Sequence, residues 1–314
     1  MRTQLQRVIN LKNFFKIIDS SSSHVTYNFK KPSKVLCNNI YINWLKSIST
    51  KSTKHLPVLI NKGLEDLKKK VPPFGVISPC ILDQHDISVQ HCLSQFAPEK
   101  KTNLHLKLYI TKQDAMQYFI QWQRLRKYWW SSITTTPSLF SINEMKYVDD
   151  MTKVDIVAQF PWGQEVVETD VKNALCISCS TTLEGALFIL LLDGQNNPSE
   201  SHLKLHRKMA PYKISFPNGL FLTDIDNKET LNELAILLYN ILEGEKISTW
   251  LPDFALSMES QIKENLLMGV AYTAVISEGT LSNGIMHLLN SNTTLKEQIH
   301  IADLSSYAAL LFQK

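Results

Sequence analysis

The spacing of apolar residues changes character along the chain. His105-Leu-Lys-Leu-Tyr-Ile110 alternates polar and apolar positions, the period of a half-buried strand. Directly after it, Ala115, Tyr118, Phe119, Trp122, Leu125 and Trp129 recur at helical spacing. They predict a helix with one broad apolar face and Arg124, Arg126 and Lys127 on the other sectors. Thr111-Lys-Gln-Asp114, just ahead, has the residue types of a capping box. Asp155 to Phe160, Leu175 to Cys179 and Ala186 to Leu192 read as further buried segments. The last is continuously apolar and fits a strand or a helix equally well. Upstream, Val71-Pro-Pro-Phe-Gly75 breaks any helix, because two prolines remove donors and fix φ.

Residues 194–202 are polar and turn-rich and mark the expected domain boundary. Beyond them, strands are predicted at Tyr212 to Phe216, Lys246 to Trp250 and Val270 to Ile276. Asn227 to Glu243 reads as a helix burying Leu231, Leu234, Ala235, Leu238 and Leu242, with Gly244 placed to end it. Ser257 to Leu267 reads as a second, with Met258, Ile262 and Leu266 inward. Gly284 to Leu289 and Leu295 to Ile301 form a strand pair, and Asp303 can cap a final helix. Strands alternating with helices predict a layered α/β domain with a mixed sheet.

Length and composition add to this picture. The chain of 314 residues suffices for two domains, and 44% hydrophobic with 20% charged residues suits a globular protein. Its longest apolar run, Ala186 to Leu192, falls far short of the ~20 residues that span a bilayer, so no membrane partner is expected. Six bases against one acid give residues 1–31 a net charge of +5, so the rest of the +4 chain sums to −1. Binding to a polyanion must then rely on local patches. The basic segment itself, with Arg2, Leu5, Val8, Ile9, Lys12, Phe15 and Lys16 dividing into sectors and Ser20 to Ser23 following, has the pattern of a mitochondrial presequence. Nothing suits secretion, so the five cysteines are expected as reduced thiols.

Metal and nucleophile signals are weak. Cys176 and Cys179 have no second pair at zinc spacing, and strand alternation would send them to opposite faces. His202 and His206 are four apart, as ligands on a helix would be, without a third ligand. Asp83, His85, Asp86 and His91 read as a solvated loop. Two basic clusters carry more: Lys204, Arg207 and Lys208 beside His206, and Arg124, Arg126 and Lys127 beside Tyr128, Trp129 and Trp130. Cations interleaved with aromatics can neutralise phosphates and stack on bases, although Trp122 and Trp129 also fit the apolar stripe of a helix.

From Leu205-His-Arg-Lys-Met-Ala-Pro-Tyr-Lys213, through Val270 to Ile276 and Leu281-Ser-Asn-Gly-Ile-Met-His-Leu288, to Asn292 to His300 and Ala302-Asp-Leu304, the chain resembles the anticodon-binding domain of class IIa aminoacyl-tRNA synthetases. Trp122 to Trp130, Pro137 to Ser141 and Phe160-Pro-Trp-Gly-Gln-Glu-Val-Val-Glu-Thr169 narrow the resemblance to the accessory-subunit family of mitochondrial DNA polymerase. A working class II enzyme needs an arginine in motif 2 on the α-phosphate and a second in motif 3 stacked on adenine. The corresponding stretch of this chain is Ser180-Thr-Thr-Leu-Glu-Gly-Ala-Leu-Phe-Ile-Leu190. Gly185 stands there in the arginine's place, and no Phe-Arg-x-Glu of motif 2 is found. A site without either cation grips a triphosphate poorly.

The resemblance implies a degenerate class II synthetase-like antiparallel-sheet domain over residues 32–200 and an anticodon-binding-like α/β domain with a mixed sheet over 201–314, behind the presequence at 1–31. It also implies no catalysis, no cofactor and no metal, and residence in the mitochondrial matrix and nucleoid. The expected partners are a polymerase catalytic subunit and primer-template DNA, met by Lys204, Arg207, Lys208, Arg124, Arg126 and Lys127. Only Leu64 to Lys70 stands where homodimeric relatives carry a long helical insertion, so one copy per catalytic subunit is expected rather than a homodimer.

Overall fold

Alternating leucines before Ile110 become the centre of a sheet in the computed structural model, which describes residues 8–20, 24–60, 70–78, 88–92, 97–98, 102–195, 202–218 and 225–312. Two units divide the chain, Met1–Leu192 and Asp193–Lys314. Unit 1 runs β1 (Phe15–Ser20), β2 (His24–Phe29), α1 (Lys31–Ser49), β3 (Val58–Ile60), β4 (Phe74–Ser78), β5 (Ser88–Cys92), β6 (Ala97–Pro98), β7 (Asn103–Tyr109) and α2 (Ala115–Ser132). It continues with β8 (Phe140–Ile142), β9 (Lys146–Val148), β10 (Met151–Phe160), β11 (Gly163–Lys172), β12 (Cys176–Thr182) and α3 (Leu183–Gln195), whose last turn enters unit 2.

Among the described residues, an eight-stranded sheet runs β3-β4-β7-β12-β11-β10-β8, with β9 also on β10. Only β3 and β4 pair in parallel within it. Cross-strand register sorts its two faces. His105 and Lys107 share one face with Ser180 and Ser178, then with Thr169 and Asp155, and this face is polar and largely half-buried. On the other, Leu104, Leu106, Leu108, Ile177, Cys179 and Ile156 are buried together with Glu168 and Asp170. α2 lies against this second face, where its Arg126 and Trp130 meet Glu168. The ambiguous run Ala186 to Leu192 is helical, in α3, and every residue of it is buried.

A second sheet, β1-β2-β5-β6, is built on the N-terminal hairpin. Residues 8–20 and 24–31 of the expected leader lie within unit 1. Val8, Ile9, Phe14, Phe15, Val25, Tyr27 and Phe29 are core residues of unit 1. The amphipathic helix expected to run to Lys16 gives way to strand from Phe15. Arg2 and Leu5 lie outside the described residues, as do Leu64 to Lys69, Asp83, His85 and Asp86.

Two local expectations for α2 are corrected. Thr111 Oγ1 donates to Asp114 Oδ2 at 2.6 Å, so the two side chains satisfy each other instead of the helix amides, and no capping box forms. The buried stripe is Ala115, Phe119, Trp122, Gln123, Arg126, Trp129 and Trp130. Tyr118 and Leu125 sit at its edge, which turns the helix toward Arg126.

Unit 2 comprises β13 (Ile214–Ser215), α4 (Ile225–Gly244), β14 (Thr249–Trp250), α5 (Met258–Leu267), β15 (Tyr272–Val275), α6 (Glu278–Asn283), β16 (Ile285–Asn290), β17 (Lys296–His300) and α7 (Leu304–Phe312). The sheet order β14-β13-β15-β16-β17 is mixed: β13 pairs in parallel with both neighbours, and the last three strands are antiparallel. α4 buries Leu231, Ala235, Leu238 and Leu242, while Leu234 is half-buried. The helix ends at Gly244, as expected, but the left-handed residue that closes it lies two positions on. Lys246 takes the left-handed conformation, φ 62°, and Ile247 N donates back to Leu242 O at 3.0 Å, a Schellman ending.

Helix α5 turns its polar residues inward. Gln261 and Asn265 are buried, whereas Met258, Ile262 and Leu266 are half-buried. The reason lies beside and beyond β13: Gln261 bonds both the amide and the carbonyl of Asn218, and Asn265 accepts from the buried Ser215 hydroxyl. Ahead of α7 the side-chain cap comes from His300, which accepts from Ala302 N, and not from Asp303.

Candidate functional site

The strand-to-helix junction β12–α3 carries the position where a nucleotide-gripping arginine was sought. Leu183 N donates to Thr102 O, and buried Glu184 accepts from both the amide and the hydroxyl of Thr102. Glu184 also stands in the first turn of α3, where the helix dipole favours an anion. Thr182 Oγ1 accepts from Gly185 N at 3.2 Å, and a Cβ on Gly185 would lie 2.5 Å from that oxygen. Any side chain here must displace the Thr182 contact.

On the polar face nearby, His105 Nε2 and Ser178 Oγ are 2.5 Å apart, and burial lowers the imidazole pKa. Thr169 donates to Asp155, which Lys153 approaches at 3.5 Å. These cross-strand pairs satisfy the polar side chains among themselves. Sequence reading missed the His105–Ser178 and Thr169–Asp155 pairs because their partners are on different strands, 73 and 14 residues apart.

Behind the sheet lies a buried charged cluster. Arg126 donates from Nε to Glu168 Oε1 at 2.6 Å and from Nη2 to Oε2 at 3.0 Å, and Trp130 Nε1 adds a bond to Oε2 at 2.8 Å. The guanidinium sits 4.4 Å from the centroid of the Trp129 ring. Burial works against the charge of Arg126, but Glu168 outweighs it and raises the pKa. Asp170 beside them is 0% exposed, neither of its oxygens has a partner of hydrogen-bond geometry, and burial followed by Glu168 pushes its pKa up to about 8.

Glu168, Asp170 and Cys179 bring potential ligand atoms within 4.8 Å of one another. Both Glu168 oxygens are committed to Arg126 and Trp130, burial keeps Asp170 and Cys179 protonated, and the guanidinium repels a cation. The chemistry opposes a metal there. Cys176 lies on the other face of β12, half-buried.

The basic residues expected to meet DNA or a partner are divided by the fold. Arg126 is 2% exposed and committed to Glu168, which corrects its placement on an outer sector. Arg124 is exposed, Lys127 half-buried and Tyr128 73% exposed. Spaced i, i+3 and i+4, these three make one ridge, with Tyr128 as its aromatic in place of the buried Trp129 and Trp130.

In unit 2, Arg207 and Lys208 are exposed on a turn and Lys204 is half-buried. Half-buried Lys213, which the sequence did not single out, donates to the carbonyls of Arg207, Lys208 and Ala210 at 2.9–3.0 Å and pins that turn. Burial lowers its pKa to about 7, and burial with Lys208 and Arg207 lowers His206 to about 4. Residues 202–206 are not helical, so the helical ligand geometry of His202 and His206 does not arise. A cavity of about 270 Å³ opens beyond the C-terminal ends of β13 and β14, lined by Asn218, Lys228, Leu231, Phe254 and Ser257. No helix of the described residues is long and apolar enough to cross a membrane.

No protein-family model matches the chain. It is similar to mitochondrial DNA polymerase subunit gamma-2 of Drosophila melanogaster, 27% identical over 251 residues, covering 68% of each protein. Subunit gamma-2 of Xenopus laevis is 25% identical, covering 78% of this chain and 60% of the frog protein. That of Bos taurus is 24% identical, covering 94% of this chain and 68% of the bovine one. By sequence, the chain is a relative of DNA polymerase subunit gamma-2. It spans 60–68% of the length of these curated relatives. In fold it is similar to the crystal structure of prolyl-tRNA synthetase from Cryptosporidium parvum, with a TM-score of 0.70 and 10% identity, covering 99% of this chain and 76% of that one. The chain thus has a synthetase-like fold, and its sequence likeness is to a polymerase subunit.

Proposed function

We propose that the chain is a non-catalytic accessory subunit of a mitochondrial DNA polymerase, acting in the matrix and nucleoid. On this reading it docks on the catalytic subunit and helps hold primer-template DNA. The observation that carries it is the sequence likeness to subunit gamma-2 of three animals. Gly185 at the β12–α3 junction supports the absence of catalysis, since a glycine offers no charge to grip a nucleotide. The Arg207–Lys208 turn and the Arg124–Lys127–Tyr128 ridge supply the local cations that a near-neutral protein needs to meet phosphates. Added phosphate contacts slow dissociation, and slower dissociation lengthens each synthesis event. One copy per catalytic subunit is our proposed stoichiometry; a stable dimer in sedimentation at micromolar concentration would contradict it.

Primer extension by the catalytic subunit at rising salt, with and without this chain, tests the reading. Longer products with the chain are expected, and unchanged product length counts against it. The fold likeness to prolyl-tRNA synthetase favours one second reading, a mitochondrial class II synthetase or tRNA-binding paralogue. ATP–pyrophosphate exchange with each amino acid separates the two, and clear activity would overturn the accessory role.

A further inference from the structure

We infer that the leader-like N-terminal segment is not removed: residues from Val8 onward stay in the mature protein as a permanent part of unit 1. The segment has the composition of an import signal, basic, acid-poor and followed by serines. Such signals are ordinarily expendable once read. This one is built into the fold from both ends.

Val8 and Phe14 are completely buried, and Ile9 and Phe15 nearly so. Phe15 stacks on Phe188 of α3 with ring centroids 5.5 Å apart and planes 11° apart. Tyr27 meets the same ring edge-on at 5.7 Å and meets Phe15 edge-on at 5.1 Å. Phe29 closes the group at 5.9 Å from Phe15. Three of these four rings belong to the leader-like segment, and the fourth is on the central buried helix of the unit.

The backbone is equally committed. Phe14 O accepts from both Lys30 N at 2.9 Å and buried Ser33 Oγ at 2.7 Å, which ties the segment to the start of α1. Lys30 Nζ donates to Lys12 O at 2.6 Å. β2 pairs with β5 from His24 to Asn28, so its loss would unpair an inner strand of the second sheet. Cleavage near residue 31 would therefore empty an aromatic cluster around Phe188, unpair β5 and leave the buried Ser33 hydroxyl without its acceptor.

The same residues can serve import while unfolded and the core once folded. Charge and amphipathicity are read on an unstructured chain, and the strand from Phe15 forms only when α3 and β5 are present to cover it. This import half rests on the mitochondrial reading above; the retention half does not.

Intact mass and N-terminal sequencing of the native protein, recovered by fractionation of its own cells, tests both halves separately. A first residue at or before Val8 is expected, in the mitochondrial fraction. A new N-terminus between Phe14 and Pro32 on soluble native protein overturns retention. Recovery from the cytosol with Val8 to Lys31 intact supports retention and sinks the mitochondrial reading instead. In the full chain, Phe15→Ala should lower the thermal midpoint by several degrees, and a chain starting at Pro32 should lose its cooperative transition. An unchanged midpoint in either variant overturns the proposal.

Discussion

At the scale of single residues, the pair Arg126–Glu168 sets the tolerance of unit 1. Both side chains are buried, and each satisfies the other's charge in a two-bond arrangement completed by Trp130. Arg126→Ala leaves Glu168 buried and uncompensated, so a loss of ~3–5 kcal/mol is expected in urea unfolding. Asp170 gives a pH signature. Its folded pKa of about 8 exceeds its ordinary value of 3.8, so folding retains a proton that the unfolded chain releases. Its contribution is therefore full at acid pH and is lost as pH rises through that window. Asp170→Asn keeps the neutral shape without the titration. Its stability advantage over the parent should grow by up to ~1.4 kcal/mol per pH unit between about pH 5 and 7. His206 and Lys213 titrate in both proteins and cancel in that difference. A constant difference across the range would show that Asp170 is ionised in the fold.

At the scale of elements, apolar periodicity located most helices and strands but not always their inward sides. α4 was legible because four of its five predicted core leucine and alanine positions are buried. α5 was not, because beyond β13 Gln261 satisfies both backbone groups of Asn218 and Asn265 accepts from the Ser215 hydroxyl. Arg126 was misplaced for the same kind of reason: its partner Glu168 lies 42 residues away, and a short-range pattern scores an arginine as outward. The Gly185 position was legible, yet its contact with Thr182 was not, since it depends on the Thr182 rotamer. Closing α4 with Lys246 in the left-handed region costs strain, because a side chain at φ 62° crowds its own carbonyl. Lys246→Gly should stabilise the chain by up to ~1 kcal/mol, read as a higher urea midpoint. A lower midpoint would mean that the lysine side chain makes contacts outweighing the strain.

At the scale of the whole molecule, the net charge says little and its distribution says more. Arg207 and Lys208 stand exposed on a turn whose carbonyls are held by Lys213, so the turn is tied to β13's approach by three bonds from one side chain. Reversing both to Glu should weaken primer-template binding by the polymerase assembly and flatten its salt dependence by about one to two phosphate contacts. Equal affinity and an equal salt slope would remove the turn from the DNA interface. Arg126 carries no such expectation, being enclosed within unit 1.

The fully buried helix α3 has a consequence for how the chain reaches its folded state. Ala186 to Leu192 is an unbroken apolar run, bracketed by Glu184 and Asp193. Once folded it is sealed on every side. Before that, it is the stretch on which newly made chains would cling to one another, and the two acids are the gatekeepers that slow this. Because its cover includes the N-terminal hairpin, the run is shielded only when both ends of unit 1 have arrived. A chain delivered end-first thus needs chaperone protection of this segment until the hairpin and helix meet.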